Sequence, residues 1–250
     1  MVSDASEHPE PSIDDTLDRG RISAPNVTWT GLLTSAPALA AGLIFVILIA
    51  SGPMERWDYL LAHRWLRNYQ PELLWFAQNV LDRVASQAIC LPVLCVTAIV
   101  LARRRRSWRP IKVALLAEFA FLAGVGGMKV VFARPVTYSR EPGFFEGGLI
   151  DMGAKGISFP SGHAAESILI FGAAVYLLAH YSAASPRLVR RLRWVVALIA
   201  LNSVVVSFLL GWHWMSDLLG GLLLGGLLLR LITRWDERGR ERQGDAAVGA

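Results

Sequence analysis

The sequence predicts an all-α membrane protein: a bundle of six transmembrane helices with one amphipathic segment lying at the interface. Three observations lead there. Of the 250 residues, 54% are hydrophobic, against roughly 45–50% in soluble domains, and the mean hydropathy is +0.42. The apolar residues fall in runs that approach or exceed the ~18 needed to cross a bilayer. The Arg residues gather at the ends of those runs, which is how membrane topology is written into a chain. The net charge of +5 is therefore a topology signal, and no nucleic acid is expected as a partner.

Taken in order, residues 1–29 are polar and rich in Asp, Glu, Ser and Pro. Such a segment buries too little apolar surface to fold, and a disordered cytoplasmic tail is expected. It lacks the basic start and short apolar core of a signal peptide. The six-span domain is placed at 30–235, with spans at 31–52, 84–102, 113–131, 164–179, 194–210 and 217–232. Residues 53–83 mix apolar and charged side chains and are expected to form the interfacial segment. Trp57, Tyr59, Trp65, Tyr69 and Trp75 suit that depth. Cys90 and Cys95 sit inside an apolar run and read as small buried hydrophobes. Gly221 and Gly225 have the spacing that lets helix backbones approach closely. Residues 236–250 are a polar cytoplasmic tail.

Orientation follows from charge. Arg103, Arg104, Arg105, Arg106, Arg109 and Lys112 lie between spans two and three, and Arg187, Arg190, Arg191 and Arg193 between four and five. Arg230, Arg234, Arg238, Arg240 and Arg242 lie near the C-terminus. Six spans put all three groups on one side together with the N-terminus, and the positive-inside rule makes that side cytoplasmic. The loops at 134–160 and 211–216 then face the extracytoplasmic side, and they hold the chemical motifs.

The first motif is Phe159-Pro160-Ser161-Gly162-His163. Pro-Ser-Gly opening an apolar helix is a ready anion site, because backbone N–H groups and the helix dipole both favour negative charge there. Ser161 adds a donor, Gly162 permits close approach, and His163 can carry a proton near neutral pH. In isolation, a Pro-Ser cap beside a chance His would look the same. The second motif is Gly211-Trp212-His213-Trp214-Met215-Ser216-Asp217. A carboxylate four residues from an imidazole can hold one ring nitrogen and leave the other to react. Alone, the pair could be two interfacial polar residues flanked by belt aromatics, Trp212 and Trp214. Two such motifs on one membrane face favour chemistry. No zinc-like spacing occurs.

The 159–163 motif resembles the second signature of the membrane phosphatidic-acid-phosphatase-type (PAP2) superfamily. The 211–217 motif is similar to the third, in which His is followed four residues later by Asp. With the six-span layout, the likeness covers about residues 30–235. It implies that His213 is the nucleophile, forming a phosphohistidine, that Asp217 orients it, and that His163 is the general acid. It implies phosphate contacts from Ser161, Gly162, Lys129 and Arg134, and neither metal nor cofactor. Two departures stand out. The family's first signature is Lys, six residues, then Arg-Pro; here Lys129 is followed by Arg134-Pro135, and the family's positions hold Val136 and Thr137. The third signature has Arg six residues before its His, and that position is Ser207. Arg134 is the expected replacement, ahead of Arg140 and Lys155. Glu166, one turn beyond His163, either tunes that His or is an uncharged carboxyl near the helix end; Glu118 is expected to lie away from the site.

The resemblance thus implies a cell-membrane phosphatase for a lipid phosphate or diphosphate, such as a polyprenyl diphosphate, phosphatidate or phosphatidylglycerol phosphate. Phosphotransfer to a sugar or polyol would use the same nucleophile. A non-catalytic protein binding lipid or phosphate through a degenerate site is the alternative from another class. No oligomeric state is implied.

Overall fold

The computed structural model describes residues 29–63, 65–68 and 71–248. The tail expected at 1–29 lies outside the described residues except for Trp29, and Tyr69 lies outside them too. Every regular element among the described residues is helical. Five helical runs are long and apolar enough to cross a bilayer, or six if a bent pair counts as one span.

The bent pair comes first. Helix α1 (Ala36–Ala50) starts where the Ser35 hydroxyl accepts from the Ala38 N–H at 3.3 Å, with Pro37 in its first turn. Both features satisfy or remove N–H groups that a helix start leaves unpaired. The chain then turns by 81° into α2 (Glu55–Leu61). After a short 3-10 turn, α3 (Pro71–Phe76) passes through a π turn (Ala77–Leu81) and a 3-10 turn (Asp82–Ala85) into α4 (Gln87–Arg105). The residues expected to form one interfacial helix are thus divided. Residues 71–83 begin the second span, and Asp58 and Asp82 turn inward and are buried. Each carboxylate finds a cationic partner inside, described below, and that draws the segment onto the bundle. Trp57, Tyr59, Trp65 and Trp75 remain exposed, in keeping with an interfacial depth.

The third span is α5 (Arg109–Ala120), a π turn (Phe121–Val125) and α6 (Gly126–Phe132). The last three are α7 (Gly162–Tyr181), α8 (Pro186–Leu210) and α9 (Met215–Val248). Helix α7 is the axle: α4, α5, α8 and α9 all pack on it, and its Leu169, Ile170, Ala173 and Leu177 are buried in the main core with Leu94, Val113 and Ile232. Glycine sets how closely α9 lies on α7. A Cβ at Gly221 would fall 2.5 Å from the Ser161 carbonyl oxygen, and one at Gly225 2.6 Å from that of Ala165. The close-approach reading of those glycines holds. Cys90 is buried as expected, whereas Cys95 faces outward, because five residues carry it to the other side of α4.

The polar stretch from 236 is not a separate tail in this structure; α9 runs unbroken to Val248. The reason is Asp236, which is fully buried. It accepts from the Tyr176 hydroxyl at 2.8 Å and the Tyr181 hydroxyl at 2.7 Å, and pairs with Arg109 at 3.4 Å and Arg240 at 3.3 Å. Arg105 Nε donates to the Tyr181 carbonyl at 2.9 Å. The Arg-rich ends of α4, α5 and α9 therefore gather at the C-terminal end of α7. At 1.5 Å per residue, that end lies about 27 Å from His163.

Candidate active site

Helix α9 begins at Met215 with Trp214 before it, and Asp217 falls in its first turn. The Asp217 Oδ2 accepts from the Trp214 N–H at 3.1 Å, so its carboxylate caps the helix it belongs to. The same oxygen stands 3.3 Å from His213 Nδ1. His213 precedes the helix, on the turn that left-handed Gly211 (φ 66°) initiates. The pairing with Asp217 comes from this cap, not from two residues on one helix face. With Nδ1 held, Nε2 is the nitrogen left to react. Trp214 is not a belt aromatic: it is fully buried, and its indole N–H donates to the Pro135 carbonyl at 2.8 Å.

Behind Asp217 lies Arg134, also fully buried. Its Nη1 donates to Asp217 Oδ1 and to the Ser216 hydroxyl, both at 2.7 Å. Its Nη2 donates to Asp58 Oδ2 at 2.8 Å, and its Nε to the Pro142 carbonyl at 2.7 Å. Phe144 and Trp214 cover it, with the guanidinium carbon 4.9 and 5.5 Å from their ring centres. This corrects the expectation that Arg134 binds phosphate in place of the Arg missing at Ser207. Two carboxylates claim the guanidinium and leave no exposed surface to meet substrate. Asp58 is the unforeseen partner. It also accepts from the Ser216 N–H at 3.1 Å and from the Ser216 hydroxyl, supplying from another helix a cap for the start of α9.

The 159–163 motif abuts this assembly. The Ser161 N–H donates to the Asp217 carbonyl at 2.9 Å, so the two motifs share a hydrogen bond. Ser161 caps α7 by backbone position only; its hydroxyl is buried with no partner. Lys129, on α6, donates to the carbonyls of Ile157 and Ser158 at 2.9 and 3.3 Å. Its stem is the nearest group to Gly162, 4.0 Å from where a Cβ would be. Its hydrogen bonds go to neutral carbonyls, and the carboxylates of Asp217 and Glu166 act on it only from beyond ion-pair distance. His163 is in the first turn of α7, partly open, with Asp82 Oδ2 3.5 Å from its Nε2. The two histidines lie close enough for their charges to interact. Ser207 is buried beside Asp82, with its hydroxyl as a neutral neighbour of that carboxylate. Arg140 is exposed over the Tyr59 ring, and Lys155 is exposed in the loop. Glu166 is buried a turn below His163, with Glu118 and Lys129 as charged neighbours; Glu118 is thus nearer the site than expected, bonded to Gln87.

The PAP2 superfamily pattern matches residues 113–241, which takes in α5 to α9 and both motifs. The chain belongs to the PAP2 superfamily. A crystal structure of a transmembrane PAP2-type phosphatidylglycerolphosphate phosphatase from Bacillus subtilis has the same fold, with a TM-score of 0.62. The two chains are 20% identical, over 81% of this chain and 96% of the other. No curated protein matches the sequence. The fold is that of a membrane PAP2 phosphatase, and its signature residues Lys129, Ser161, Gly162, His163, His213 and Asp217 converge at one end of this bundle. Two carboxylates at that end, Asp58 and Asp82, lie outside the matched residues. The one signal for them in the sequence was acid in a segment otherwise suited to the interface.

Proposed function

We propose that this PAP2 protein is a phosphatase for a lipid phosphate or diphosphate and works through a phosphohistidine on His213. The observation that carries the proposal is the juxtaposition of a carboxylate-held His213 with His163, at a helix start where Ser161 has a hydroxyl with no hydrogen-bond partner and Lys129 bonds only carbonyl oxygens. His213 Nε2 attacks phosphorus as the bond to the leaving oxygen breaks. His163 gives that oxygen a proton and later takes one from the water that releases phosphate. The first-turn N–H groups of α7, the Ser161 hydroxyl and Lys129 are placed to hold the phosphoryl oxygens, where fixed dipoles and charge stabilise the transition state.

The lipid nature of the substrate is supported by the membrane setting and by an apolar cavity of about 780 Å³ between α7, α8 and α9. It runs from Ile168, Val204 and Leu222, each within two turns of His163, Ser207 or Asp217, down to His180, Arg193 and Arg230 at the Arg-rich end, so a hydrocarbon tail would have room in the part nearer the head group. The Arg-rich ends lie at the far end of the bundle, which supports a site on the extracytoplasmic side with both termini cytoplasmic. The test is phosphate release by detergent-purified protein on phosphatidate, phosphatidylglycerol phosphate and a polyprenyl diphosphate, with a chelator present, beside His213→Ala. Release by the parent and none by the variant is expected. Equal release by both would remove His213 from the mechanism, and release abolished by the chelator would require a metal.

A further inference from the structure

The two histidines do not differ in having a carboxylate. His213 has Asp217, and His163 has Asp82. We propose that Asp82 is the positioning residue of His163, holding it as the proton donor and so setting the rate on substrates whose leaving oxygen must be protonated. The inference rests on the phosphatase reading above.

Asp82 is 5% exposed and lies on the 3-10 turn that interrupts the second span. The π turn before it is the kind of helix irregularity that often marks a functional position. Asn202 on α8 fixes the turn by donating to the Leu81 carbonyl at 2.8 Å. Asp82 Oδ2 stands 3.5 Å from His163 Nε2, and the Ser207 hydroxyl is the neutral group beside the carboxylate. Among the described residues, His163 is the one basic side chain within ion-pair distance of Asp82. A buried carboxylate in that position favours the imidazolium and keeps the Nε2 proton in place. The proton that moves is then the one on Nδ1. It passes to the bridging oxygen as the phosphorus–oxygen bond breaks and the pair of electrons leaves with that oxygen. Neutral His163 keeps its Nε2–H toward Asp82 and takes a proton on Nδ1 from water in the second half.

The departure at Ser207 bears on this. An Arg there would stand beside Asp82 and neutralise it. With Ser in that place, a neutral hydroxyl stands beside the carboxylate and His163 is its ion-pair partner. The competing reading is that Asp82 is merely a negative charge near the phosphate, where it would repel substrate.

Leaving-group chemistry separates the two. A nitrophenolate leaves without a proton, whereas an alkoxide does not. Asp82→Asn should lower kcat/KM on a lipid alkyl phosphate by about 10–100-fold, a part of the ~10²–10⁴-fold that general-acid catalysis contributes. It should leave kcat/KM on nitrophenyl phosphate nearly unchanged, because that ratio reports the steps up to departure of the leaving group and not the later hydrolysis of the phosphohistidine, in which His163 takes the proton from water. His163→Ala should show the same leaving-group selectivity in kcat/KM while its kcat falls on both esters, and the double variant should be no slower than His163→Ala. A thermal melt like the parent's shows that the variant is folded; if it is not, Asp82→Glu in the same two assays serves instead. Equal losses on both esters, or faster turnover with lower KM, would overturn the proposal. Turnover of neither ester by the parent would sink the phosphatase reading and this inference with it.

Discussion

Arg134 is the residue on which sequence and structure disagree most sharply, and Arg134→Met tests which is right. Methionine keeps most of the volume and removes the charge. Asp58 and Asp217 would then be two buried carboxylates without the guanidinium they share, with only His213 left beside Asp217, and four donated hydrogen bonds would be lost. Removing one partner of a buried ion pair costs about 3–5 kcal/mol. At roughly 2–4 °C per kcal/mol for a chain of this size, and the ~3–5 kcal/mol above, the melting temperature should fall by about 6–20 °C. The assay is thermal unfolding of detergent-purified protein, alongside Asp58→Asn and the double variant. Because Asp58 is harmful only when unpaired, the double variant should melt above the sum of the single effects, by a coupling of about 0.5–3 kcal/mol. Activity should fall too, since Asp217 Oδ1 loses the group that aims its partner oxygen at His213. A variant that melts with the parent while KM rises would refute the argument and return Arg134 to phosphate binding.

Two further outcomes follow from the packing and from the altered signature. Gly225→Ala places a methyl 2.6 Å from the Ala165 carbonyl oxygen, and such overpacking should cost about 1–3 kcal/mol in thermal unfolding; an unchanged melt would mean that α7 and α9 can part freely. Ser207→Arg restores the family residue, but Asp82 should capture the new cation, so kcat on a lipid alkyl phosphate is expected to fall. A rise in kcat would mean that the pocket lacks only a phosphate clamp.

The fold was legible because membrane spans announce themselves by length and charge, and because α7 and α9 each begin at a motif with its own local logic. The convergence of His163, His213 and Asp217 was readable from the motifs. What stayed hidden has one physical cause. Burial of a charge is decided by a partner distant in sequence. Asp58 meets Arg134 76 positions away and Ser216 158 away, so neither periodicity nor spacing could report that an Asp in a Trp-rich interfacial segment is drawn inward. Arg134 was misread for the same reason: an Arg beside a phosphate motif looks like a clamp until its carboxylates are known. Asp236 follows the same rule: nothing in the polar composition of 236–250 reports that Tyr176 and Tyr181, 60 and 55 positions away, hold its carboxylate.

The buried charges also explain how the site keeps its geometry inside a bilayer. Lipid tails are as apolar as Leu, so burying apolar faces does little to set the height of one spanning helix against another. Small residues and polar contacts must do it. Asp217 and Asp236 sit nineteen residues apart on α9, about 28 Å at 1.5 Å per residue, close to the ~30 Å of hydrocarbon a span must cross. Each carboxylate therefore lies near a boundary where its cost is lowest, and each is bonded to other helices. Asp217 reaches Arg134 and, through it, Asp58 of α2; Asp236 reaches α5 and α7. Helix α9 is pinned at both ends, with Gly221 and Gly225 holding it against α7 between them. The height of α9 relative to α7 is the height of His213 relative to His163, so the bonds that place these charges also place the two histidines.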